Sequence, residues 1–261
     1  MSAGTYTPRP GAAPLSRMIA TQTVLETRML LRNGEQLLLT VIIPTLLLVL
    51  FSAVDIVAVP TETMGTAGKS VDFLAPGILA LAVLSTAFTG QAIATGFERR
   101  YGVLKRLGAS PLPRWALMTA KTLSVLVTEV LQVVLLTVIA YALGWSPHGN
   151  PFAVLVLLAL GTAAFSGLGL LMAGTLKAEA TLAAANLVFL LLLIGGGVIV
   201  PLEKFPDAVQ SMLGLLPIAA LSDGLRDVLQ HGASMPWGDL GILAVWAVLG
   251  LGAAAKFFRW E

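Results

Sequence analysis

Residues Phe152 to Leu176 read FAVLVLLALGTAAFSGLGLLMAGTL, and no side chain in that run carries a charge. At 1.5 Å of rise per residue, a helix of this length covers the roughly 30 Å of hydrocarbon in a bilayer. Working outward, comparable runs occupy about Leu37 to Val59, Leu74 to Gly96, Ala116 to Leu143, Leu182 to Val200 and Leu240 to Phe258. The chain as a whole is 57% hydrophobic and 11% charged. Soluble domains carry roughly 25% charged residues, so water is not the main solvent here. The expectation is an all-α membrane protein whose six spans fill residues 37–260.

Lysine and arginine in the connections set the orientation, because positive residues are retained on the cytoplasmic side. Arg9, Arg17, Arg28 and Arg32 precede the first span, and Arg99, Arg100, Lys105, Arg106 and Arg114 follow the second. Lys177 follows the fourth, while Lys256 and Arg259 close the sixth. The opposite connections hold only Lys69, Lys204 and Arg226, so both termini are expected to be cytoplasmic. Net charge is only +2 and no basic run is interleaved with aromatics, which argues against a nucleic-acid partner. Cysteine is absent, so disulfides, thiolate metal sites and cysteine nucleophiles are excluded. His148 and His231 each stand beside glycine in a polar turn, and no metal site is expected.

Residues 1–14, MSAGTYTPRPGAAP, have the composition of a disordered tail and no apolar core for a signal peptide. Residues 15–34 follow as a helix, with Leu15, Met18, Ile19, Leu25 and Met29 at helical spacing and Gly34 as its stop. It lies along the membrane surface or, alternatively, packs on a soluble partner. The connection before the last span, about residues 205–230, splits around Pro217 into two short apolar stripes. Val209, Met212, Leu213 and Leu216 make the first stripe; Leu221, Leu225, Val228 and Leu229 make the second. This is either an outer re-entrant hairpin or an external loop with two surface helices.

The stretch Phe97 to Trp115, FERRYGVLKRLGASPLPRW, has more pattern than a connector needs. Phe97, Tyr101, Leu104 and Leu107 form one helical stripe flanked by Glu98, Arg99, Arg100, Lys105 and Arg106, and Gly108, Pro111 and Pro113 then stop the helix. Such a stub offers knobs and charges to a groove on another protein, or else sets orientation and touches lipid headgroups. Glu98-Arg99-Arg100-Tyr101-Gly102, then Leu104 to Leu107 and Ser110 to Arg114, resembles the coupling-loop signature of type-2 ABC transporter permeases. Phe73 to Ile78, Gly197 to Pro201, Phe205-Pro206 and Leu216-Pro217 resemble further motifs of that family in the same order.

The resemblance implies a permease of an ABC exporter in a bacterial plasma membrane, moving a drug-like, lipid-linked or glycan cargo outward. It implies a coupling helix at about 97–107 that meets a separate ATPase through Phe97, Glu98, Arg99, Arg100, Tyr101, Leu104, Lys105, Arg106 and Leu107. ATP and Mg²⁺ would reside in that partner, and a second permease copy or a paralogue would complete the assembly. Thr63 to Ser70 comes within one residue of a phosphate-loop pattern, but a short turn between spans supplies neither the strand nor the helix that such a loop needs. No cofactor is therefore expected in this chain.

Inside the spans, Glu129 stands eight residues beyond Lys121, about 12 Å deeper along a helix. A carboxyl at that depth must face protein or a cavity. It is a cargo contact, an ion-coupling group as in a secondary transporter, or an interhelical tie; Gln132 shares its face. Thr86 and Thr89 in the second span and Asn186 in the fifth line a polar path or pack helices closely. The candidate cargo path is thus Thr86, Thr89, Glu129, Gln132 and Asn186, and the candidate outer gate is Pro201, Phe205, Pro206 and Pro217.

Overall fold

The computed structural model of the chain describes residues 12–53, 70–198 and 206–259, which form helices and connections without any strand. Helix α1, Leu15–Arg32, leads through Asn33 into α2, Gly34–Ala53. The break comes at Asn33, one residue before the expected stop. Helix α3, Ser70–Val83, runs without interruption through a π-helical segment, Leu84–Gly90, into α4, Gln91–Arg100. A short α5, Val103–Gly108, precedes α6, Arg114–Ala142. Then come α7, Pro151–Thr175, and α8, Ala178–Gly195. The hairpin helices α9, Asp207–Leu213, and α10, Pro217–Leu229, lead to α11, Trp237–Phe257.

Five of these bodies are long and apolar enough to cross a membrane: Ser70–Arg100, Arg114–Ala142, Pro151–Thr175, Ala178–Gly195 and Trp237–Phe257. They match five of the six expected spans. In α2 the described apolar stretch is the shorter Thr40–Ser52, and residues 54–59 of the expected first span lie outside the described residues. So do residues 1–11 of the tail, the loop bearing Lys69 and the near phosphate-loop pattern as far as residue 69, and the gate candidates Pro201 and Phe205.

The rod formed by α3, the π segment and α4 is the core. Phe73, Leu74, Ile78, Leu81, Leu84 and Phe88 are all 2% exposed or less, because α2, α6, α7, α8 and α10 pack around it. In lipid the hydrophobic effect does not drive helices together, so close backbone approach and interhelical hydrogen bonds must do so. Small residues permit that approach. A Cβ on Gly169 of α7 would lie 2.8 Å from the Phe88 carbonyl oxygen in the π segment. A Cβ on Gly167 would lie 2.5 Å from the Leu251 nitrogen of α11.

Helix starts follow their sequences. Asn150 caps α7 by accepting from the Phe152 amide at 3.0 Å, with Pro151 in the first turn. Pro217 likewise opens α10, so the expected proline break between two short helices is present. Helix α10 is buried against α3, α7 and α11, with Ile218, Ala219, Leu221, Leu225 and Val228 fully enclosed. Trp246 donates from Nε1 to the Leu215 carbonyl at 2.9 Å and ties α11 to the α9–α10 turn.

Candidate functional site

The rod has two ends with different chemistry. At its Arg100 end the helix does not continue to Leu107 as the sequence led us to expect. It stops at Tyr101, and Gly102 takes φ 72, a left-handed turn that glycine adopts without a Cβ penalty. The expected single stripe is therefore split across an elbow. Phe97 and Tyr101 stack, with ring centroids 6.1 Å apart, and Tyr101 is 68% exposed. Leu104 instead turns inward, fully buried among Leu112, Ala116, Leu117, Leu170, Phe258, Leu15 and Ile19. Leu107 packs at the margin of the same cluster.

The flanking charges divide in the same way. Glu98, expected at an exposed interface, accepts from the Lys121 ammonium at 2.6 Å, and Lys121 also donates to Glu26 at 3.0 Å. Lys121 and Glu26 are 4% and 5% exposed, and Gln22 donates to the second oxygen of Glu26 at 2.8 Å. This knot joins α1, α4 and α6. It explains why α1 turns two polar residues inward while Leu25 and Met29 of its expected stripe stay exposed. Arg99 donates to the Leu176 carbonyl at the end of α7, whose last carbonyls lack helical partners. Arg100 pairs with Glu179, both more than half exposed, a contact of little energetic weight. Among the nine interface candidates, Arg100, Tyr101, Lys105 and Arg106 are the ones presented to the surroundings.

Beside the elbow end lies a cavity of about 610 Å³ between α2, the rod and α8. Asn33, Thr40, Ser85, Thr89 and Asn186 supply its polar groups; Ile43, Leu81, Ile93, Phe97, Leu182 and Phe189 make its walls mostly apolar. None of the described residues lining it is charged. Thr89 and Asn186, two of the five cargo-path candidates, thus share one chamber.

The other three do not line it. Thr86 donates to Gln132 Oε1 at 2.9 Å, and Gln132 Nε2 donates to the Thr40 carbonyl at 2.5 Å, so this pair braces the cavity wall from behind. Glu129 faces away, toward α7, and accepts from the Thr162 hydroxyl. One turn along α7, Ser166 donates to Gln91 at 2.6 Å. The single expected path is in fact a chamber plus a set of interhelical ties.

At the rod's Ser70 end, Pro206 is exposed and Pro217 sits inside the α10 packing, so the two described gate candidates do not form one surface. The buried charge there, among the described residues, is Arg226, 7% exposed, which sequence reading counted only as a loop cation. Arg226 stands among Leu221, Leu225, Val228 and Leu229 in α10, which also carries Asp223 and Asp227, and that was the available signal, since a cation in such a setting needs an acceptor. Lys121 and Glu26 were overlooked for a different reason: their partners are distant in sequence.

Helices of membrane-spanning length around a buried rod, with an uncharged chamber beside it, define a multi-pass membrane protein of transporter build. The chain belongs to the ABC-2 type transporter family, whose model matches residues 20–229. It is 29% identical over 164 residues to linearmycin resistance permease protein LnrN of Bacillus subtilis (strain 168), covering 62% of this chain and 43% of LnrN. It is 25% identical over 231 residues to "Putative transport permease YvfS" of the same strain, covering 87% of this chain and 91% of that one. The family is that of membrane permeases of ABC transporters, which implies an ATPase partner.

Proposed function

We propose that the chain is the membrane subunit of an ABC exporter, driven by ATP hydrolysed with Mg²⁺ on a separate subunit, and that it has no ATPase site of its own. The observation that carries this reading is the position of Phe97. Its ring lines the cavity and also stacks on exposed Tyr101 at the elbow, so a protein docking there pushes on the chamber wall through two rings. Tyr101, Arg100, Lys105 and Arg106 form the docking surface. Helix α2 supplies the first span and brings the number to six, the elbow is cytoplasmic together with both termini, and α9–α10 is the outer re-entrant hairpin of a bacterial plasma-membrane protein. Arg99, Arg100, Lys105, Arg106, Arg114, Lys177 and Arg259 cluster around the elbow end, which supports that orientation.

A chamber of this size, mostly apolar with a few uncharged polar groups, suits a neutral amphipathic cargo of drug or lipid-linked type. The resistance permease among the relatives points the same way. Two permease copies complete the assembly. The test is purification with a candidate ATPase followed by cargo-stimulated ATP turnover. Stable association and stimulation are expected, with stimulation lost in Tyr101→Ala. Transport that persists in vesicles without ATP but collapses with the proton gradient would replace this reading with an ion-coupled one in which Glu129 is the coupling group.

A further inference from the structure

Helix α8 forms one wall of the chamber and meets the rod at both of its own ends. Near its start, Thr181 lies where a Cβ on Gly96 would be 3.5 Å away. Its middle residues Leu182, Asn186 and Phe189 then stand across the cavity from the rod. At its far end the helix stops at Gly195, and the chain continues through Gly196, Gly197 and Val198, whose carbonyls lie beyond the helical ladder. Those carbonyls are taken up by another helix. Ser222 of α10 donates to Gly196 at 3.1 Å, and Arg226 donates from Nη2 to Gly197 at 2.6 Å and to Val198 at 3.0 Å.

The same guanidinium reaches the rod. Its central carbon lies 4.1 Å from the centre of the Phe73 ring, and its Nη1 donates to Asp223 at 3.0 Å. Gly77, one turn beyond Phe73, leaves no space: a Cβ there would be 2.6 Å from the Val198 oxygen and 3.0 Å from Arg226 Nη2. A planar guanidinium can bond carbonyls in its plane while an aromatic ring covers its face, which an ammonium cannot do. One side chain therefore fastens three helix ends together at the side of the molecule remote from the elbow.

We infer that Arg226 is a positioning residue that makes the far end of α8 follow the rod, so that displacement at the elbow reaches the outer margin of the chamber. The rod is continuous from Phe73 to Glu98. Its elbow end is fixed by Lys121, its other end by Arg226, and α8 is carried between them. This rests on the ATP-driven reading, but its geometry is testable apart from it.

The chain contains no cysteine, so Val198→Cys introduces a sole reporter at a position that is fully enclosed. The experiment measures its rate of modification by a membrane-impermeant methanethiosulfonate in the lipid-reconstituted complex, with Arg226 retained or replaced. Without nucleotide, Arg226→Gln is expected to raise the rate several-fold; an unchanged rate overturns the inference. With ATP and vanadate, the rate is expected to change when Arg226 is present and to stop responding in Arg226→Gln. A response that survives that substitution, or is absent with Arg226 in place, also overturns it. Arg226→Lys, which keeps the charge and can reach one carbonyl, is expected to give an intermediate response and carries the test if the glutamine variant does not fold. Failure of any ATPase to assemble would instead sink the functional reading, while the nucleotide-free comparison still decides the role of Arg226.

Discussion

Lys121 and Glu98 meet at 2.6 Å, although one belongs to the rod and the other to a helix that starts on the far side of the elbow. Glu26 accepts a second hydrogen bond from the same ammonium, so one lysine holds α1 and the rod in register on α6. Removing one member of a buried ion pair leaves an uncompensated charge, at a cost of about 3–5 kcal/mol. Lys121→Met is expected to lose that much stability, read as a lower unfolding midpoint in detergent. Glu26→Gln, which leaves Lys121 and Glu98 paired, is expected to cost clearly less.

Gly102 is the pivot of the elbow, with φ 72 and no neighbour close to where a Cβ would stand. Substitution there meets backbone strain and no steric clash. Gly102→Ala is expected to cost about 1–2 kcal/mol and to lower ATPase association in pull-downs while leaving the transmembrane helices intact by circular dichroism. Equal association by the two proteins would show that the bend is not needed for docking.

Ala94 lines the chamber between Thr89 and Phe97. Filling it with Ala94→Trp is expected to reduce cargo-stimulated ATP turnover by about tenfold, equivalent to roughly 1.4 kcal/mol of binding, with basal turnover retained. Full stimulation in this variant would place the cargo elsewhere.

Gly167 and Gly250 let α7 and α11 touch backbone to backbone. Gly167→Val is expected to cost about 1–3 kcal/mol through overpacking and to cut the yield of folded protein. Gly241→Val on α11, where nothing lies within 4 Å, is expected to be nearly silent in the same assay.

The spans were legible because charge-free runs of membrane length have few other uses, and five reappear within a few residues of their expected edges. The elbow stretch was recognisable as a motif, yet its shape was not. Helical spacing treats Tyr101 and Leu104 as neighbours on one face, whereas a left-handed Gly102 sends one outward and the other into the core. Periodicity also cannot tell which side of an amphipathic helix is buried when the inner face is polar. In α1, Leu15, Met18 and Ile19 of the expected stripe do pack inward, but Leu25 and Met29 stay exposed while Gln22 and Glu26 are turned inward. Interhelical ties such as Thr162 with Glu129 or Arg226 with Gly197 depend on three-dimensional juxtaposition of residues far apart in sequence.

The π segment at Leu84–Gly90 adds a residue to the rod's winding between Phe73 and Glu98. The wider π turn takes up that extra residue, so a single-residue deletion there that restores ordinary α geometry would leave the two halves of the rod in nearly the same angular phase. Glu98 would then keep its place beside Lys121, whereas a deletion within α4 itself would rotate it away by about 100°. The seven residues of the π segment can thus take up a change of length without passing it on to the knot or the elbow. A one-residue deletion in that short stretch would therefore disturb this protein less than the same deletion in the α-helical winding on either side.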